Sequence, residues 1–75
     1  MNILITGVCG FIGFSLAEEL MKTKNKIIGV DNINNYYSKK LKKKRLSILT
    51  KKKNFEFILA DINNYKKIVK ETKKI

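Results

Sequence analysis

The chain has 75 residues and a net charge of +11, with 17 Lys and Arg against 6 Asp and Glu. That length holds one small domain at most and limits the surface that folding can bury. A single cysteine excludes an internal disulfide and fits a reducing, cytoplasmic setting. The apolar stretches are too broken by glycine to span a bilayer, and no basic residue precedes the first of them as a secretion signal requires.

In chain order, residues 2–6 read as a strand around Ile3-Leu4-Ile5, followed by glycines at 7, 10 and 13. A helix is predicted over 11–22, with Ile12, Leu16, Ala17 and Leu20 on its buried face. Residues 26–31 give a second strand that ends in Asp31. A helix over 38–51 offers Leu41, Ile48 and Leu49. A mostly apolar strand over 55–60 follows, and then a helix over 64–74 with Tyr65, Ile68, Val69 and Thr72 at helical spacing. Strands alternating with helices in this way call for a parallel sheet covered on both faces.

The chemistry concentrates in Thr6-Gly7-Val8-Cys9-Gly10-Phe11-Ile12-Gly13. Strand, glycine turn, then helix is an arrangement that offers backbone amides to a diphosphate. Gly7 suits a tight turn with positive φ. Gly10 lets a pyrophosphate approach the main chain, and Gly13 lets the helix press close. A Walker loop is excluded because neither Gly10 nor Gly13 precedes a lysine, and G-x-G-x-x-G fails at Val8. Asp31 stands 18 residues past Gly13, close to the spacing of an acid that reads a dinucleotide ribose. A carboxylate there repels a 2′-phosphate, which favours NAD over NADP. As a plain turn-former before Asn32, Asp31 would have no such role. Cys9, near a helix N-terminus, could have a lowered thiol pKa; the simpler reading is a small residue in a small slot.

The string Thr6 to Gly13 resembles the extended short-chain dehydrogenase/reductase family, whose fingerprint is T-G-x-x-G-F-I-G. Cys9 departs from the small residue, such as Ala, usual there. The resemblance implies the N-terminal half of a Rossmann doubly wound parallel sheet (βαβαβα), with NAD as cofactor. In that topology strand one is central, strands two and three lie to one side, and a fourth strand should pair on the other. No fourth strand is present, and the last helical pattern runs to Ile75 without a stop signal. Residues 1–75 are therefore expected to be a truncated, partial NAD-binding domain whose bare strand edge favours aggregation.

Within that resemblance, Gly7, Gly10, Phe11, Ile12 and Gly13 form the diphosphate turn. Asp31, Asn32 and Asn35 serve the adenosine ribose. Asp61 receives the exocyclic amine of adenine, and the amide of Ile62 meets a ring nitrogen. Asp61 could instead cap the third helix, a role Asn63 could share. Asp31-Asn32-Ile33-Asn34-Asn35-Tyr36-Tyr37, with Leu41-Lys42 and Arg45-Leu46, is similar to the nucleotide-sugar epimerase branch, most of all to UDP-glucuronate 4-epimerases. This implies a nucleotide-sugar substrate, oxidation and re-reduction at the sugar C4, and a homodimer for the full-length enzyme. The family's catalytic Tyr-x-x-x-Lys pair lies beyond residue 75. Tyr36 and Lys40 share its spacing but follow strand two, at the adenosine end. No catalytic residue and no metal-ligand set is expected in the chain.

Nine of the basic residues fall between Lys39 and Lys53, where there is no acid. One reading is a nucleic-acid or membrane patch on a non-enzymatic basic module. Arg45 is the only arginine, and Lys, Asn and Ile are abundant while Pro, Trp and His are absent. That bias favours a solvated outer helix, with neither nucleic acid nor membrane as partner. A 4,6-dehydratase or a reductase of the same extended family is the nearer alternative.

Overall fold

A computed structural model describes residues 1–33 and 39–73. The elements run β1 (Asn2–Thr6), α1 (Phe11–Leu20), β2 (Lys26–Asp31), α2 (Lys39–Thr50), β3 (Phe55–Leu59) and α3 (Tyr65–Thr72). The strands form one sheet in the order β1-β2-β3, with both pairings parallel. This is the βαβαβα half of a Rossmann sheet that the alternation of elements led us to expect. Thr6 is in register with Val30, and Asp31 with Leu59. The tips of all three strands therefore meet at one edge, where open α/β sheets bind ligands.

Two apolar clusters hold the layers. On one face, Ile5, Ile27 and Phe55 from the strands meet Val8, Cys9, Ala17 of α1 and Leu49 of α2. On the other, Ile28, Val30, Ile58 and Ala60 meet Ile68 of α3. Gly29 sits at the centre of β2, where a Cβ would lie 2.7 Å from Val8 Cγ1 and 2.8 Å from Phe55 Cζ. Those two side chains occupy the space a larger residue would need.

The strands match expectation to within a residue, whereas α1 is turned away from the face expected for it. In α1 only Ala17 is fully enclosed, while Ile12 is 79% exposed and Leu16 47%. The inward stripe is Gly13, Phe14, Ala17, Leu20 and Met21. The cause is Gly13, whose Cβ would stand 2.3 Å from Gly7 O. That contact fixes the rotation of α1 and turns Ile12 and Leu16 outward.

The helix ends at Leu20 rather than 22. There Thr23 Oγ1 (3.0 Å) and Asn25 Nδ2 (3.1 Å) donate to the Leu20 carbonyl, satisfying a helix-end acceptor from outside. In α2 the enclosed residues are Lys42 and Leu49, with Leu46 half-buried between them, and Leu41 is exposed. In α3 Ile68 is buried as expected, whereas Tyr65 is exposed.

Candidate dinucleotide-binding site

The β1–α1 corner is built by backbone bonds. Gly7 has φ +66°, the left-handed region that glycine enters at little cost. The Gly10 amide donates to Gly7 O at 3.0 Å and closes the turn, and the Val8 amide donates to Val30 O at 3.2 Å. The Cys9 amide donates to Asp31 Oδ2 at 3.0 Å. These three amides are therefore committed within the protein. The donors left for an anion are those of Phe11, Ile12 and Gly13. As the first helical residues they have no intrahelical acceptor, and no side chain caps them at Gly10. The helix dipole adds a fractional positive charge at the same place.

The Cys9 side chain is fully enclosed, and its thiol pKa is pushed up to about 11. Burial is the main cause, and the Asp31 charge adds to it against the opposing charges of Lys42 and Arg45. The helix N-terminus does not lower this thiol, and Cys9 fills a small slot.

Asp31 is 5% exposed. Its Oδ1 accepts from the Ile33 amide at 2.9 Å and from Lys42 Nζ at 3.3 Å, while Oδ2 holds Cys9. A carboxylate offers about four lone-pair positions. Three are used, which leaves one acceptor position. Ile33 has φ +50°, a strained conformation for a β-branched residue, beside the acid it donates to.

Asn32 Nδ2 reaches Asp61 Oδ2 at 3.5 Å and ties the tips of β2 and β3 together. Asp61 Oδ1 accepts from the Asn63 amide at 2.8 Å and shapes the turn. The cap of α3 is neither Asp61 nor Asn63 but Asn64, whose side chain accepts from the Lys67 amide at 3.3 Å.

Two adjoining clefts result. One, of about 250 Å³, is lined by Thr6, Gly7, Val30, Asp31, Asn32, Lys42, Ala60 and Ile62. The other, of about 740 Å³, is lined by Thr6, Gly7, Gly10, Phe11, Ile12, Gly13, Leu41, Lys42 and Arg45. Asp61 is exposed and does not line the first cleft, though it accepts from Asn32, which does. Asn35, Tyr36 and Tyr37 lie outside the described residues.

Reasoning from the sequence used Lys42 and Arg45 for the family resemblance but gave neither a place in the site, grouping both with the solvated basic residues of α2. Lys42 is enclosed against Asp31, and Arg45 Nη1 donates to Cys9 O at 3.1 Å. The available signal was their stripe with Leu46 and Leu49, at i, i+3, i+4 and i+7.

A parallel α/β sheet with a glycine turn closed at its first corner and an acid at the neighbouring strand tip is a dinucleotide-binding fold of the Rossmann type. Comparison with known proteins narrows this. The chain belongs to the GDP-mannose 4,6 dehydratase family, whose model matches residues 4–75.

It is 51% identical to Protein CapI of Staphylococcus aureus over 87% of the chain and 19% of that protein. It is 47% identical to UDP-glucuronate 4-epimerase of Thermodesulfobacterium geofontis over 83% of the chain and 19% of that protein. A solved Bacillus cereus UDP-glucuronic acid 4-epimerase, a variant in complex with UDP-4-deoxy-4-fluoro-glucuronic acid and NAD, superposes with a TM-score of 0.80. That match is at 35% identity and covers 85% of the chain and 21% of the solved one. The chain thus spans about a fifth of the length of these relatives.

Proposed function

We propose that residues 1–75 are the NAD-binding opening of a nucleotide-sugar epimerase that works at the sugar C4, with a UDP-linked glucuronate as substrate. The observation that carries this is the corner itself. Three uncapped amides at the start of α1 face one cleft, and Asp31 faces the cleft beside it.

The residues fit the cofactor. A Cβ at Gly10 would lie 3.2 Å from Gly7 O and one at Gly13 nearer still, so side chains at these positions would disturb the turn. The amides of residues 11–13 would hold the diphosphate. Asp31 and Asn32, together with Asn35, would hold the adenosine ribose. Asp61 and the Ile62 amide would hold adenine. NAD, when bound, supplies the hydride acceptor and donor for oxidation and re-reduction of the sugar. The chain's own part is to bind and orient it, with Lys42 holding the Asp31 carboxylate in place.

Membership of the GDP-mannose 4,6 dehydratase family supports 4,6-dehydration as the second reading, because such an enzyme shares this half. The basic module has less support, since two of the α2 cations turn inward. Among the described residues no helix is long and apolar enough to cross a membrane. The reading places the protein in the cytoplasm and, at full length, makes it a homodimer.

The test is NAD affinity, measured calorimetrically, for the chain and its Asp31→Ala and Gly10→Val forms. Both substitutions are expected to weaken binding by tenfold or more, on the order of 1.4 kcal/mol. Unchanged affinity in both would overturn the reading. The 75 residues alone are expected to leave UDP-glucuronate unconverted.

A further inference from the structure

Arg45 stands one helical turn after Lys42, and its guanidinium is fixed at two points. Nη1 donates to Cys9 O at 3.1 Å, and the guanidinium carbon lies 6.0 Å from the centre of the Phe11 ring. Both contacts are to the glycine turn or the helix start. The Cys9 peptide unit is thereby gripped at both ends, its N–H by Asp31 and its C=O by Arg45.

A guanidinium carries five N–H donors, and among the described residues one of them meets a protein acceptor. No carboxylate among the described residues pairs with it; the ion pairs found there are Lys22–Glu19 and Lys42–Asp31. Arg45 also lines the larger cleft, with Gly10, Phe11, Ile12 and Gly13. An un-neutralised, half-buried, pre-positioned fork beside uncapped amides suits a diphosphate, whose oxygens accept paired N–H bonds.

We infer that Arg45 is the side-chain cation of the diphosphate subsite and, through Cys9 O, the positioning residue of the glycine turn. This rests on the cofactor reading above and adds to it a residue on α2. Binding of the diphosphate half would then depend on Arg45, and binding of the adenosine half would not. Lysine at this position would keep the charge. It could not hold Cys9 O and fork a phosphate together.

The experiment measures the affinities of adenosine, AMP and ADP for the chain, for Arg45→Met and for Arg45→Lys, with thermal melting as the fold control. Arg45→Met is expected to weaken ADP by about tenfold and adenosine by less than twofold, with Arg45→Lys between the wild type and Arg45→Met for ADP. If Arg45→Met does not fold, the same contrast is read from Arg45→Lys. An equal loss for adenosine and ADP, or no loss for ADP, overturns this inference and leaves the cofactor reading standing. Failure of the unsubstituted chain to bind ADP at all overturns both.

Discussion

Lys42 Nζ lies 3.3 Å from Asp31 Oδ1, and the two side chains are 10% and 2% exposed. An ion pair this enclosed is costly to break from one side, because the remaining charge stays buried without its counterion. Lys42→Met should therefore destabilise the chain by about 3 kcal/mol in urea denaturation. The double variant Asp31→Asn with Lys42→Met should recover part of that loss, since neither charge is then stranded. A cost below about 0.5 kcal/mol for Lys42→Met, the range of ordinary surface substitutions, would show the pair to be solvated in solution.

Two glycines of the turn should respond to alanine in different ways. At Gly7 there is open space for a Cβ but φ is +66°, so Gly7→Ala bears only the left-handed strain, about 1–2 kcal/mol. At Gly13 the Cβ would lie 2.3 Å from a backbone oxygen, and no side chain can move aside to relieve it. Gly13→Ala should cost about 3 kcal/mol or more and pull α1 away from the turn. Urea midpoints for the two variants check the order; equal midpoints would contradict the close packing of α1.

That same contact explains why the strands were legible in the sequence and the buried face of α1 was not. A short apolar run bounded by Gly, Asn or Asp reads as a buried strand whatever surrounds it, and Ile27 to Asp31 needed nothing more. The face a helix buries is set by its tightest contact. For α1 that contact is a missing atom at Gly13, which hydrophobic spacing does not register. Asp31 could be found because it ends a strand at a known distance from the turn. Lys42 carried a weaker signal, since it differs from its lysine neighbours only by lying on one stripe with Leu46 and Leu49.

The Cys9 thiol gives a pH signature. Its pKa is raised from 9.0 to about 11, so the folded chain keeps the proton over a range where the unfolded chain has lost it. The associated stability is fully present below about pH 9 and is lost as pH rises towards 11. Other groups titrate in this window as well, so the comparison is with Cys9→Ala. Between pH 8 and 10.5 the wild-type urea midpoint should fall more steeply than that of the variant. Parallel curves would mean that the thiol is not enclosed. Alkylation by iodoacetamide at pH 8 should likewise be slow until urea unfolds the chain.

Asp61 offers a test of the proposed adenine contact. Its carboxylate already takes the Asn63 amide at 2.8 Å and Asn32 Nδ2 at 3.5 Å. It has acceptor capacity left and no donor of its own, so it suits the exocyclic amine of adenine and opposes the carbonyl of hypoxanthine. NAD should bind about tenfold more tightly than its hypoxanthine analogue, because the analogue sets two acceptors against each other. In Asp61→Ala that preference should fall to within about twofold, mainly through weaker NAD binding, since removing the carboxylate removes both the attraction and the repulsion. Asn64 rather than Asp61 caps α3, so the helix should keep its start in this variant, and circular dichroism should show unchanged helix content. A preference that survived the substitution would move adenine recognition away from Asp61 to the backbone around Ile62.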